Sequence, residues 1–152
     1  MTTIRPAQPK DFFQLAGMRA SLWPDASFNE HLSELEAGLI HTGQPGFPVV
    51  VLVAEDAPGT LIGFLEAGLR SHADGCDPAR PVGFVEGWFV TEEDRGKGVG
   101  RALMRAAEEW ARAHGCREMA SDALIDNAES ESAHTALGFE VVDHCVHFRK
   151  AL

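Results

Sequence analysis

The segment Arg95–Arg101, with the sequence RGKGVGR, combines three glycines with three cationic side chains. Glycine permits tight turns and lets backbone N–H groups approach a ligand closely. The segment lies between an apolar stretch that predicts a strand and the clearest amphipathic pattern of the chain, which predicts a helix. The first N–H groups of a helix lack partners and bind anions. The pattern therefore favours a phosphate site, and a flexible turn with a solvated basic edge is the alternative.

Two common nucleotide motifs do not fit this segment. A P-loop has the pattern GxxxxGK followed by Ser or Thr, which is absent from the sequence. The Rossmann fingerprint is GxGxxG, whereas Gly96, Gly98 and Gly100 follow the pattern GxGxG. The phosphate ligand is therefore of another class.

Two carboxylates are candidates for acid–base chemistry. Glu86 lies within the apolar stretch Val82–Val90, and strand alternation places it on one face with Phe84 and Trp88. A carboxylate there needs a cation, hydrogen-bond donors or a wet cleft, because burying it unpaired is costly. A neighbouring arginine or backbone amides could satisfy it without any catalytic role. Asp122 follows the next predicted strand, where it either caps a turn or binds a ligand.

Length and charge narrow the class of protein. The chain has 152 residues, with 23 acidic and 13 basic side chains and a net charge of −10. This length suits one domain over residues 1–152. The negative charge opposes nucleic-acid binding and favours cationic ligands. The longest apolar run, Val49–Ala54, is too short to span a membrane, and the N-terminus lacks the apolar core of a signal peptide, so we expect a cytoplasmic protein.

Cysteine and histidine spacing gives no metal or disulfide signature. The three cysteines, Cys76, Cys116 and Cys145, are odd in number and widely separated. His144 and His147 would point to opposite faces of a strand, which prevents shared ligation of one ion. We therefore expect neither a metal site nor a disulfide framework.

Periodicity and turn residues predict the elements that must position these groups. The predicted class is α/β (α+β), with a mixed sheet flanked by helices. Ser27 and Glu30 have the pattern of a capping box. The predicted strands are 3–5, 47–55, 60–70, 82–90, 117–123 and 139–150, and the predicted helices are 11–23, 28 to about Ile40, 99–114 and 128–137.

The spacing Arg95-x-x-Gly98-x-Gly100 resembles the acyl-CoA signature of the GCN5-related N-acetyltransferases (GNAT), and the order of elements resembles that family over nearly the whole chain. The resemblance implies a mostly antiparallel sheet, splayed where acetyl-CoA binds. It implies that the backbone of the preceding strand holds the pantetheine arm, that the glycine turn holds the pyrophosphate, and that Asn127 touches the cofactor. The implied cofactor-binding residues are Trp88, Phe89, Val90, Arg95, Gly96, Lys97, Gly98, Val99, Gly100, Arg101 and Asn127.

Several separated segments resemble one subgroup, the aminoglycoside 6′-N-acetyltransferases: FVEG at 84–87, MASD at 119–122, AHTALGFE at 133–140, LWP at 22–24 and GCD at 75–77. The resemblance to this subgroup implies direct acetyl transfer to the 6′-amine of an aminoglycoside, which would confer antibiotic resistance. It also implies that the protein is a homodimer. Glu86 would be the base or would orient the ammonium, with Asp122 beside it. The implied acceptor-binding residues are Trp23, His72, Glu86, Asp122 and Asp143.

Two departures from the family pattern leave alternatives open. Many members place a tyrosine near the thiolate leaving group, but this chain contains no tyrosine, so that role passes to water or another group. His72 stands where similar proteins carry a tyrosine that contacts the acceptor. The acceptor could instead be a polyamine, an amino sugar or a protein lysine, and the chain could be a non-catalytic acyl-CoA-binding module.

Overall fold

Five strands and four helices make up the structure, a computed structural model that describes residues 1–38 and 43–152. Two short 3₁₀ turns, Pro9–Asp11 and Glu92–Asp94, precede the first and third helices. The strands are β1 (Thr3–Pro6), β2 (Val49–Glu55), β3 (Leu61–Arg70), β4 (Val82–Val90) and β5 (Met119–Ser121), and the helices are α1 (Phe12–Leu22), α2 (Phe28–Glu36), α3 (Val99–Ala113) and α4 (Ala128–Ala136).

The strands form one sheet in the order β1-β2-β3-β4-β5. Neighbours from β1 to β4 are antiparallel, and β5 lies parallel to β4. A hairpin can join antiparallel strands, whereas a parallel pair needs a crossover, which α3 supplies here. The mixed, mostly antiparallel sheet flanked by helices is therefore confirmed.

Alternating residues of the central strands build a core on each face of the sheet. Leu52 belongs to the cluster that contains Leu103 of α3, whereas its neighbour Val53 belongs to the cluster that contains Leu15 of α1 and Leu35 of α2. Successive side chains of a strand point to opposite faces, so α3 covers one face and the α1–α2 pair covers the other.

Local sequence signals set most helix ends. In the predicted capping box the Ser27 hydroxyl accepts from the Glu30 amide at 3.2 Å, and the Glu30 carboxylate accepts from the Ser27 amide at 3.1 Å. Gly115 has a φ of +85°, a conformation that readily ends a helix at glycine. Helix α2 ends at Glu36, before the predicted end, and Ile40 lies outside the described residues.

Strand β4 contains a β-bulge at Glu86. Against β3, Gly87 pairs with Glu66 and Val85 pairs with Ala67, so Glu86 is an extra residue without a partner in that ladder. Such a residue bends the strand and interrupts strict alternation. Val85 and Trp88 therefore pack in the same cluster, beside α3, although three positions separate them. The prediction that Glu86 shares a face with Trp88 is wrong for this reason.

The pairing of β4 with β5 stops early. It covers Gly83–Met119, Phe84–Ala120 and Val85–Ser121, and β5 ends at Ser121 rather than at residue 123. From Glu86 onward β4 has β3 as its neighbour on one side and no strand on the other within the described sheet. The expected splay between two strands is therefore present, and it leaves backbone groups of β4 without a strand partner.

The predicted last strand does not form within this chain. Residues 139–152, all of them described, contain no helix or strand, and 140–152 are exposed. Apolar side chains of this segment face solvent, including Val146 at 73% and Phe148 at 92% exposure. The segment has an alternating pattern, but a strand needs a neighbour, and no strand in the described part of the chain lies beside it.

Candidate active site

The glycine turn opens towards solvent at the start of α3. Gly96 and Gly98 have φ values of +75° and +86°, which side chains rarely tolerate. A Cβ at either position would meet no heavy atom within 4 Å. Gly98 is also the N-cap of α3, so the first amides of the helix are directed into this open space. The turn fits a bound phosphate group.

Gly100 holds the turn against β4. A Cβ at Gly100 would lie 3.2 Å from Cζ2 of Trp88, and the Trp88 Nε1–H donates to the Gly100 carbonyl at 3.2 Å. The indole therefore fixes the start of α3 beside the part of β4 that has lost β5. The turn and the unpaired strand edge adjoin each other.

The basic side chains of the turn are held at its rim. The Arg95 Nε–H donates to the Val90 carbonyl at 2.9 Å, and Lys97 Nζ lies 3.2 Å from Asp94 Oδ1. Arg101 is exposed on the first turn of α3. These contacts keep positive charge around the open amides without closing the turn.

Asn127 is the N-cap of α4, and its side-chain oxygen accepts from the Ser130 amide at 3.1 Å. Only the family resemblance predicts that Asn127 touches the cofactor. The structure gives its oxygen a capping role and leaves the side chain exposed. Its cofactor contact stays a prediction.

Glu86, the bulged residue, is paired with Arg70 from the end of β3. Arg70 donates to Glu86 Oε1 from Nη2 at 2.8 Å and from Nε at 3.0 Å, and to Oε2 from Nη2 at 2.9 Å. The Glu86 side chain is only 9% exposed. The Arg70 guanidinium carbon lies 3.6 Å from the centre of the Phe84 ring. Arg70 thus satisfies the Glu86 carboxylate. This is the alternative in which a neighbouring arginine pairs with Glu86.

Burial raises the pKa of the Glu86 carboxyl above its ordinary value. The hydrogen bonds and the charge of Arg70 oppose this rise in pKa, and the negative charge of Asp122 adds to it. A carboxylate with a raised pKa accepts a proton more readily than an ordinary one. The effect of Asp122 also shows that the two predicted carboxylates lie close enough to interact.

Trp23 lies directly beneath the bulge. A Cβ at Gly87 would fall 2.5 Å from Cζ2 of Trp23, so glycine is needed there for the two to pack. The Arg19 guanidinium carbon lies 5.4 Å from the centre of the Trp23 ring. Arg19 is also paired with Glu66 at 3.0 Å, and both side chains are buried. This buried pair supports the tryptophan from below.

The remaining predicted acceptor residues are exposed. Asp122 immediately follows β5. His72 lies two residues after Arg70 at the start of the β3–β4 loop. The Asp143 carboxylate accepts from the His144 amide at 2.7 Å, in the segment that forms no strand. Trp23 therefore lies beside Gly87, next to Glu86, and the charge of Asp122 acts on Glu86. The contacts of the described residues do not bring Asp143 into that group.

Sequence reasoning missed the cation of this site. Arg70 is the single basic residue of β3, and an unmatched cation in an apolar strand is a signal that could have identified it. Arg19 has the spacing of an apolar core position of α1, so its place in the sequence carries no separate signal. Ser121 and His134, joined by a 2.7 Å hydrogen bond between β5 and α4, were not predicted to interact.

Features of other functional classes are absent from the described part of the chain. No group of three or more His, Cys, Asp or Glu side chains there is arranged to hold a metal ion. The cysteines at 76, 116 and 145 are all free. No described helix is long and apolar enough to cross a membrane.

Comparison with known proteins gives one consistent family. A model of the acetyltransferase (GNAT) family matches residues 11–139. An aminoglycoside N(6′)-acetyltransferase type 1 from Klebsiella aerogenes is 42% identical over 149 residues, covering 98% of this chain and 96% of that protein.

Two solved structures are similar over the full length of the chain. The aminoglycoside 6′-N-acetyltransferase AAC(6′)-Ih from Acinetobacter baumannii has a TM-score of 0.85 and 32% identity, covering 100% of this chain and 99% of its own. AAC(6′)-Iy, in complex with a bisubstrate analogue of CoA and acetylneamine, has a TM-score of 0.85 and 35% identity, with 100% and 99% covered. The splayed strand, the open glycine turn and these matches together show that the chain belongs to the acetyltransferase (GNAT) family.

Proposed function

We propose that this chain, acting as one domain over residues 1–152, transfers acetyl from acetyl-CoA to the 6′-amine of an aminoglycoside and so confers resistance. The observation that carries the proposal is the buried Glu86 on the bulge of β4, next to the unpaired strand edge and close to Asp122. The similar proteins named above are aminoglycoside 6′-N-acetyltransferases over almost their whole length, which supports this acceptor.

Acetyl-CoA, the co-substrate, fits the edge beside α3. The amides at the start of α3, from Gly96 to Arg101, bind its pyrophosphate, with Arg95 and Lys97 at the rim. The backbone groups of Trp88–Val90 that face away from β3 bind the pantetheine arm, because β5 has ended there. This arrangement directs the thioester towards the bulge, where Glu86 lies.

The acceptor approaches the same point from the carboxylate side. Aminoglycosides are polycations, and Glu86 and Asp122 attract and orient an ammonium group above Trp23. Glu86 takes a proton from the acceptor, directly or through water, and the raised pKa of its carboxyl favours this step. Backbone amides of β4 stabilise the oxyanion that forms when the free amine attacks the thioester.

A second copy of the chain completes the assembly in this proposal. The C-terminal segment, residues 139–152, exposes Val141, Val142, Val146 and Phe148, which need an apolar surface to cover them. No strand of the described residues pairs with the outer edge of β5. A homodimer in which these features meet would bring Asp143 and His72 to the acceptor. We place the enzyme in the cytoplasm, where acetyl-CoA is made.

The reaction itself is tested by CoA release. With acetyl-CoA and two aminoglycosides that differ only in a 6′-amine or a 6′-hydroxyl, we expect thiol release with the amine alone. The hydroxyl compound is the matched control for binding without an acceptor. Release with neither compound, while acetyl-CoA still binds, would overturn the aminoglycoside assignment and leave a polyamine, an amino sugar, a protein lysine or a binding role.

Glu86→Gln tests the base. The amide keeps the size of the side chain and can accept from Arg70, but it cannot take a proton from the acceptor. We expect kcat to fall about 100-fold or more, with the Kd of acetyl-CoA little changed. Steady-state kinetics and calorimetric titration measure the two quantities. Glu109→Gln, an exposed carboxylate of α3, is the control, and equal kinetics in both variants would contradict the role of Glu86.

Gly98→Glu tests the phosphate site. The new carboxylate would enter the open space in front of α3 and repel the pyrophosphate, so we expect the Kd of acetyl-CoA to rise more than about tenfold. Gly98→Ala is the matched control, because it carries the same backbone strain at positive φ without charge or bulk. If the two variants bind acetyl-CoA equally well, the pyrophosphate does not bind at this turn.

The double variant Val146→Glu, Phe148→Glu tests the dimer. Charges at these exposed apolar positions should shift the sedimenting species from dimer to monomer, because they would be buried against the second copy. Phe13→Glu places a charge at another exposed phenylalanine, on α1, and should leave the dimer intact. A monomeric parent protein at working concentration would contradict the proposal.

A further inference from the structure

His134 is a partly buried histidine that the mechanism above leaves unused. It projects from α4 to the point where β4 and β5 separate. Its Nε2 lies 2.7 Å from the Ser121 hydroxyl oxygen, and its ring centre lies 5.2 Å from that of Trp88, edge to face. Ser121 pairs with Val85 in the last pair before the strands part. His134 therefore touches both strands at the start of the unpaired edge.

The hydrogen bonds fix the roles of the two ring nitrogens. Nδ1 lies 2.7 Å from the Ser130 carbonyl oxygen, which can only accept, so Nδ1 carries a hydrogen. In the neutral ring Nε2 then accepts from the Ser121 hydroxyl. In the protonated ring Nε2 donates to the Ser121 oxygen instead. The Ser121 hydrogen is then free to turn towards a group in the gap between the strands.

The surroundings of the ring are mostly uncharged. Trp88 and Phe139 pack against it, each with a ring-centre distance of 5.2 Å. The elements that adjoin the ring also carry carboxylates, namely Glu86 of β4, Asp122 after β5 and Glu131 of α4. Among the described contacts none of these carboxylates bonds to the imidazole, whose polar partners are Ser121 and Ser130.

We propose that His134 acts through Ser121 as the proton donor for the thiolate that leaves during acetyl transfer, an inference that rests on the proposed function. When the carbon–sulfur bond breaks, its electron pair goes to sulfur. Sulfur takes the hydrogen of the Ser121 hydroxyl, and the Ser121 oxygen takes the Nε2 hydrogen of protonated His134. The ring is left neutral, with Nδ1–H still bonded to Ser130. The acceptor ammonium loses two protons in forming the amide: Glu86 takes the first and releases it to solvent, and the second returns to His134 through water.

The chain needs such a donor because it has no tyrosine. Glu86 is on the acceptor side of the bulge, held by Arg70, and its task is to remove a proton. His134 is on the α3 side with Trp88, beside the strand edge assigned to pantetheine. Glu86 is therefore placed to act on the amine, and His134 is placed to act on the sulfur.

The first experiment compares pH profiles of kcat for the parent enzyme, His134→Gln and Ser121→Ala. In the parent, kcat should fall at alkaline pH, because the proposed transfer requires a hydrogen on Nε2. Both variants should lose this alkaline fall, and kcat at neutral pH should drop about 10- to 100-fold with the KM values little changed. Gln can donate to Ser121 but cannot release a proton, and Ser121→Ala leaves the histidine packing intact, so misfolding of one variant does not decide the outcome.

His114→Gln is the matched control. His114 is also on a helix, bonds through Nδ1 to a backbone carbonyl at 2.9 Å and packs on a tryptophan with ring centres 4.5 Å apart. It should keep the parental kcat and pH profile. An alkaline fall of kcat retained in both His134→Gln and Ser121→Ala would overturn the proposal.

A second readout needs no acceptor. Free CoA is bound to each protein, and formation of its thiolate is followed by ultraviolet absorbance as the pH is raised. A protonated His134 near the sulfur should make the bound thiol ionise at lower pH in the parent than in His134→Gln or Ser121→Ala. Identical titrations would overturn the proposal. Shifted titrations in a parent enzyme that acetylates no aminoglycoside would place the failure in the proposed function instead.

Discussion

The organisation of this protein depends on one strand that is paired on both sides at its beginning and on one side at its end. Backbone N–H and C=O groups that lose a strand partner must find water or a ligand. Strand β4 meets this condition after Val85, where β5 stops. The bulge at Glu86 falls at the next residue, so the change in pairing and the change in side-chain direction coincide. The mostly buried carboxylate of Glu86 and an open backbone edge are thereby placed together.

A tryptophan packs on a glycine on each face of the sheet around that strand. On the α3 face Trp88 contacts Gly100, which ties the start of α3 to the open edge. On the other face Trp23 packs on Gly87, above the buried pair of Arg19 and Glu66. At Gly87 a Cβ would fall 2.5 Å from the Trp23 ring, so glycine is needed there, whereas at Gly100 a Cβ would be in tight contact with the Trp88 ring at 3.2 Å. Small residues at these points bring helices and strand close enough for one site to form.

Positive and negative side chains also lie in different places around β4. The chain is acidic overall, yet its turn at Arg95–Arg101 concentrates cations where an anion is expected. On the opposite side Glu86 and Asp122 add negative charge, which suits the cationic acceptor that we propose. Arg70 keeps Glu86 ordered and prevents its pKa from rising as far as burial alone would take it. A polycation and a phosphate-bearing co-substrate can therefore bind side by side without exchanging places.

Much of this was determined by the sequence alone. Periodicity, caps and turn residues determined the sheet class, the bounds of β4 and the start of α3, because each depends on neighbours along the chain. The glycine spacing predicts an anion site on the same local grounds, and the structure places that turn in open space at the start of α3. Only the tertiary structure decided the bulge at Glu86, its pairing with Arg70 and the bond between Ser121 and His134, since all three depend on the register between distant segments. The C-terminal segment, residues 139–152, shows most clearly what a sequence pattern leaves open. Its residues alternate as in a strand, but a strand forms only beside a neighbour. The described residues of one copy of the chain supply no such neighbour.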